Sequence, residues 1–306
     1  MRGELKFKRF IIHRFCRVLP SYWLSTVLIV IFGMLSINII GSTITSAGGS
    51  ITELKYLPLN VLCLNFANPV NGVAWFLAVN LICYIWYYLM YLMAKKNCET
   101  KDSSSNETQG STESQFVTSL SGVLFVISIL SASICVYIMK GNPLQNIARG
   151  IASFGVGGGI AVVNNWLVHS RRKQQTIVAV SLLTLVICIF GLAKVRIFQE
   201  NTWLVEVYFL FPSIVFLITN LADLREMLSK PWMRVFGAYS YTIYIFQTAV
   251  MTILYFLFGL AGNYNWYSKG NFLVNIASII GFGIAMYYIW DKPIGDRIKK
   301  MEERIS

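Results

Sequence analysis

The sequence predicts an all-α, polytopic integral membrane helix bundle of about eight transmembrane helices, with both termini cytoplasmic. Three observations predict it. The 306 residues are 56% hydrophobic and only 13% charged, whereas a soluble domain carries about 25% charge. Apolar stretches recur at roughly 21–40, 72–93, 117–138, 147–166, 176–194, 203–220, 237–260 and 271–290. Each approaches the ~20 apolar residues that a helix needs to cross a ~30 Å hydrocarbon core. The third observation is the placement of charge. With the N-terminus inside, all but six of the 26 Lys and Arg residues face the cytoplasm. The exceptions are Lys55, Lys140, Arg149, Lys194, Arg196 and Lys269. That bias sets the orientation, because basic residues are retained on the cytoplasmic side.

The chain opens on FKRFIIHRFCR, residues 7–17, which alternates basic and apolar residues at helical spacing. It is expected to lie along the inner membrane surface and to turn into the first span at Pro20. The 41–71 loop is the longest on the outer side and carries Gly, Ser, Thr and Asn with little charge. The 94–116 loop is polar and low in complexity, so a flexible cytoplasmic loop is expected there. Its Asn106 sequon faces the wrong side for glycosylation. Gly155, Gly157, Gly158 and Gly159 crowd the fourth span. No Lys-Ser/Thr follows them, so close helix packing by small residues explains them better than a phosphate loop. Tyr22, Trp23, Trp75, Trp166, Trp203, Trp232 and Trp290 stand near span ends, as an interfacial aromatic belt does.

Charge and cysteine content exclude other classes. The net charge of +12 sits at helix ends, where anionic headgroups bind it. No nucleic-acid motif accompanies it. Six cysteines form no CxxC pair and only two histidines exist to join them, so neither a metal site nor a disulfide framework is expected.

Three stretches carry a resemblance: RFIIHRFCRVLPSYW, NGVAWFLAVNLICY and VFGAYSYTIYIFQ, followed by IWDKP. They resemble the acyltransferase-3 family of polytopic membrane acyltransferases, along residues 6 to 296. The resemblance implies a single membrane acyltransferase-3-like domain over 1–306, lodged in the inner (cytoplasmic) membrane. It implies transfer of an acyl group, often acetyl, from acyl-CoA to a hydroxyl of a cell-surface or exported polysaccharide. No bound cofactor is expected, since acyl-CoA is a substrate. The expected partners are that donor, a carbohydrate acceptor and the lipid bilayer, without nucleic acid.

The first stretch carries the family's Arg-x-x-Arg as Arg14 and Arg17, followed by Pro20 and Tyr22. A guanidinium pair on the cytoplasmic face suits the phosphates of acyl-CoA through charge-assisted, bidentate bonds. In the second stretch Trp75, Leu77 and Tyr84 are in register. Asn80 stands where the family has Glu, and Cys83 where it has Phe, so no carboxylate acts there. In the third, Ser240, Tyr241, Ile243 and Tyr244 follow the pattern, and Gln247 replaces its His. Ser240, Tyr244 and Gln247 share one helix face, a polar stripe that lipid cannot satisfy. The substrate-binding candidates are thus Arg14, Arg17, Trp75, Asn80, Tyr241, Tyr244 and Gln247.

The family's catalytic element, an Arg followed after ten residues by His in the first helix, is expected to be missing. His13 and His169 are the only histidines, and the Arg2/His13 spacing lies outside any span and reads as coincidence. The Arg-x-x-Arg normally follows a second span, so an N-terminally incomplete domain short of about two helices is expected. Glu206 is a shallow intramembrane acid, Arg149 opens the fourth span from outside, and Asp291 is expected to pair with inner-face basic residues. The competing readings are a catalytically inactive fragment or a small-molecule transporter. The latter would show broken helices in two related halves.

Overall fold

The computed structural model describes residues 7–41, 57–62, 70–73, 75–102, 120–140, 142, 144–167, 171–262 and 269–305. Among these there is no strand. Six helical runs are long and apolar enough to cross a membrane: Val18–Ile40, Leu144–Asn164, Gln174–Lys194, Thr202–Asn220, Pro231–Leu260 and Gly270–Lys300. Two shorter apolar helices, Trp75–Met90 and Val123–Ile138, stand where the second and third spans are predicted. The chain is an all-α, multi-pass membrane protein.

The described chain divides into two compact units. Unit 1 comprises Met1–Tyr84 and Val235–Ser306, and unit 2 comprises Ile85–Arg234.

Unit 1 begins with α1, Phe7–Leu35, one continuous helix with Pro20 inside it. The candidate span starts at Val18, beside the Pro20 where the surface segment is expected to turn into it. Pro20 lacks an N–H and leaves the Cys16 carbonyl without its helical partner, yet helix persists on both sides. A wider π turn, Ser36–Ile40, ends the run, and Gly41 closes it with φ of 75°. A short helix α2, Leu57–Val61, follows. Next comes α3, Trp75–Asp102, whose first turns belong to unit 1. Helix therefore continues through 94–102, the first part of the predicted flexible loop, while 103–119 fall outside the described residues. Propagation of an established helix costs far less than nucleation, which lets α3 run into a polar stretch.

Two long helices complete unit 1. They are Pro231–Leu260, which begins four residues before the unit does, and Lys269–Met286. A π turn at Tyr287–Asp291 leads into an amphipathic C-terminal helix, Lys292–Ile305. The core joins Tyr22 and Ile29 of α1, Val70, Leu77 and Leu81, and Ile245, Phe246 and Ala249. Gly283 permits a close approach. A Cβ there would lie 2.7 Å from the Ile243 Cα, inside contact distance of backbone.

Unit 2 continues with α4, Leu120–Ile138, and α5, Leu144–Leu167. The glycines of α5 divide by face. A Cβ on Gly155 would meet Ile129 at 2.4 Å and one on Gly158 would meet Phe125 at 3.2 Å. Gly157 and Gly159 have nothing within 4 Å. Close packing thus accounts for two of the four. Trp86 of α3 stacks on Phe125 with centroids 5.2 Å apart. Helix α6, Arg171–Lys194, is followed by α7, Arg196–Glu200, and α8, Thr202–Val205. A π turn at Glu206–Leu210 passes into α9, Phe211–Asn220. An amphipathic helix α10, Ala222–Ser229, precedes the long helix from Pro231, here α11. Lys269–Met286 is α12 and Lys292–Ile305 is α13. Asn164 of α5 accepts hydrogen bonds from Thr219 at 3.2 Å and Asn220 at 3.0 Å. In lipid such polar links and close contacts, not the hydrophobic effect, hold helices together.

Candidate functional site

Between α1 and α3, the described residues 57–62 and 70–73 do not stay at the outer surface. Their backbone hydrogen-bonds to the bodies of α1 and α11. The Tyr22 hydroxyl donates to the Asn60 carbonyl at 2.5 Å, and Trp23 Nε1 donates to the Val61 carbonyl at 2.7 Å. The Tyr244 hydroxyl donates to the Val73 carbonyl at 3.2 Å. Tyr22 and Trp23 lie in the first half of the Val18–Ile40 span, and Tyr244 lies near the middle of Pro231–Leu260. Residues 57–62 and 70–73 therefore sit at membrane depth. For these residues this corrects the expectation of an outer 41–71 loop; 42–56 and 63–69 lie outside the described residues.

Irregular backbone is tolerated at that depth only when protein or trapped water satisfies it. Asn71 does most of this work. It is fully buried. Its Nδ2 donates to Ser25 Oγ and to the Ile245 carbonyl, both at 2.9 Å, and its Oδ1 accepts from the Val73 N–H at 3.2 Å. The Ser25 hydroxyl in turn donates to the Tyr22 carbonyl at 2.8 Å. Asn60 acts likewise, its Oδ1 accepting from the Val70 N–H at 2.9 Å. A Cβ built on Gly72 would lie 4.0 Å from Thr248 Oγ1, so the turn packs against α11.

The predicted site residues fall around this junction in different ways. Tyr241 donates to the Val18 carbonyl at 2.7 Å, which fastens α11 to the turn of α1 that follows Arg17. Tyr244 binds the re-entrant backbone and meets Phe76 edge-on at 5.9 Å. Trp75 is half-buried at the start of α3, edge-on to Phe76 at 6.1 Å. Asn80 and Gln247 are half-buried, and neither amide makes a hydrogen bond among the described residues. Ser240 is exposed and bonds its own helix at Gly237, so it does not extend the polar stripe inward. Arg14 and Arg17 belong to α1, but their side chains lie outside the described residues, as does that of His13. His169 lies outside them entirely. Asp291 accepts a hydrogen bond from Ser21 at 3.0 Å, so α1 is tied to the last span as well.

Sequence reasoning missed Asn60, Asn71 and Ser25. The available signal was the stretch from Tyr56 to Asn71, YLPLNVLCLNFANPVN, which has no charge at all. An outer loop exposed to water has no reason to be that apolar.

The arrangement has a chemical consequence. Asn71, Ser25, Tyr241 and Tyr244 are committed to backbone and to each other. They fix the frame. The amides of Asn80 and Gln247 make no hydrogen bond among the described residues, and an amide carries both donors and an acceptor. A model of an acyltransferase domain matches residues 1–291. The chain belongs to the acyltransferase-3 family. No curated protein and no solved structure matches it. Family membership makes it a membrane protein of an acyltransferase class, and the re-entrant junction of this acyltransferase-3 chain is its candidate active site.

Proposed function

We propose that this chain moves an acyl group, acetyl, from acyl-CoA on the cytoplasmic side to a hydroxyl of a cell-surface or exported polysaccharide. The observation that carries the reading is the Asn71 junction. Asn71 ties α1, which bears Arg14 and Arg17, to α11, which bears Gln247, and the amides of Gln247 and of Asn80 on α3 make no hydrogen bond among the described residues.

The donor phosphates bind Arg14 and Arg17, where planar guanidinium groups match oxyanions bidentately. The pantetheine arm extends toward the junction. The acceptor hydroxyl attacks the thioester carbonyl, the new C–O bond forms as the C–S bond breaks, and the hydroxyl proton ends on the CoA thiol. Asn80 and Gln247 orient the reacting groups. An amide neither ionises nor takes a proton at neutral pH, so their part is positioning.

Equilibrium binding of acetyl-CoA to the purified protein in nanodiscs tests the donor assignment. Saturable binding competed by free CoA is expected. Arg14→Lys and Arg17→Lys should each weaken it about 10-fold, the scale of a charged hydrogen bond. Equal affinity in both variants would remove the arginines from the donor site. Absence of any CoA-specific binding would remove the donor.

A further inference from the structure

Unit 2 holds a charge that the transfer chemistry does not use. Arg149 stands five residues into α5, on the order of 8 Å from the end that the charge bias assigns to the outer face. An ionisable group at such depth is costly and marks a site by default. Its Nε is closed to solvent and has no hydrogen-bond partner. Among the described residues it forms no ion pair.

The neighbouring contacts fix where Arg149 lies on its helix. One turn earlier, Gln145 donates to the Val136 carbonyl of α4 at 2.8 Å. On the other flank, Asn164 bonds Thr219 and Asn220 of α9. At ~100° per residue, Arg149 falls between these two faces, toward the seam between α4 and the run that starts at Thr202. That seam is polar. The hydroxyls of Ser133 and Tyr208 hydrogen-bond across it. Tyr208 lies in the π turn Glu206–Leu210, a wider turn of a kind that recurs at functional sites. The Trp203 ring stands edge-on to Tyr208 with centroids 6.3 Å apart. Glu206 is half-buried two residues away and makes no ion pair with Arg149.

We infer that Arg149, Tyr208 and Trp203 form a binding site for an acidic sugar, with Arg149 on the carboxylate and the two rings against the sugar's C–H face. The inference rests on the polysaccharide acceptor proposed above and narrows it to a glycan with uronic-acid residues. A guanidinium with an unused Nε offers two parallel donors to a carboxylate. A lipid phosphate shares that oxyanion chemistry but has no ring to set against Trp203 and Tyr208.

Purified protein in nanodiscs of zwitterionic lipid is titrated with a short oligouronate and with a neutral oligosaccharide of equal length. The oligouronate should bind about 10- to 100-fold more tightly, the range of a charged hydrogen-bond pair. Arg149→Gln should erase that preference, and Arg149→Lys should keep part of it, because Lys retains charge without the planar fork. Thermal melting checks that each variant folds, and Arg149→Lys alone carries the comparison if Arg149→Gln does not. Equal binding of both sugars, or an unchanged preference in Arg149→Gln, overturns the inference and leaves the acceptor class standing. Anionic lipid that raises the melting temperature through Arg149, with no oligouronate binding, assigns the charge to a headgroup and also overturns it. Failure of both sugars to bind removes the polysaccharide reading itself.

Discussion

Asn71 donates to Ser25 Oγ and to the Ile245 carbonyl at 2.9 Å each, so one buried amide joins α1 to α11 through a turn of irregular chain. Replacing it by Ala strands the Val73 N–H and removes the links to Ser25 and to the Ile245 carbonyl, which keeps only its partner within α11. Each stranded group costs about 1–3 kcal/mol in a protein interior, and bonds between membrane helices fall toward the low end of such values. Asn71→Ala is therefore expected to destabilise unit 1 by ~1–3 kcal/mol. Reversible unfolding in mixed micelles measures it. A loss below about 0.5 kcal/mol would show that the turn is held by packing alone.

The glycines of α12 make a paired test. A Cβ on Gly283 would lie 2.6 Å from Ile243 Cγ1 and 2.7 Å from its Cα, while one on Gly281 has nothing within 4 Å. Gly283→Ala should destabilise by about 1–3 kcal/mol, the range of overpacking. Gly281→Ala should be neutral or slightly stabilising, since Ala is the better helix former. Melting temperatures of the two variants decide it, and equal values would contradict the close approach.

Helices were legible in the sequence because length and apolarity alone decide whether a segment can cross a bilayer. The tyrosines of α11 were legible too, as polar groups that lipid cannot satisfy. Their partners were not. Tyr241 bonds Val18 and Tyr244 bonds Val73, and a backbone carbonyl leaves no residue-type signature in a sequence. The π turns at Ser36–Ile40, Glu206–Leu210 and Tyr287–Asp291 were hidden for a related reason, because an extra residue in a turn reflects tertiary packing more than local preference. Pro20 marked the start of the span to within two residues, but not that one helix runs through it.

The orientation rests on the distribution of basic residues. Single reporter cysteines at residues 172 and 230 should react only from the cytoplasmic side, and one near 265 only from the outside. Labelling of 265 from the cytoplasm would reverse the assignment of the last two spans.

The open amides predict a separation of stability from activity. Asn80→Ala and Gln247→Ala remove groups with no hydrogen bond among the described residues, so melting should change by little. Transfer should fall about 10-fold or more if the amides orient the reacting groups. Tyr244→Phe, which deletes the bond to Val73, should lower the melting temperature as well. Full activity in both amide variants would move the site away from the Asn71 junction.

Transfer of labelled acetyl groups from acetyl-CoA to polysaccharide, in membranes containing the intact protein, is the most direct measurement. Label is expected in the glycan, at ester linkages cleaved by mild base, and at subsaturating acetyl-CoA it should fall about 10-fold in Arg14→Lys and Arg17→Lys membranes. Glycan that stays unlabelled while acetyl-CoA still binds would contradict the proposed transfer.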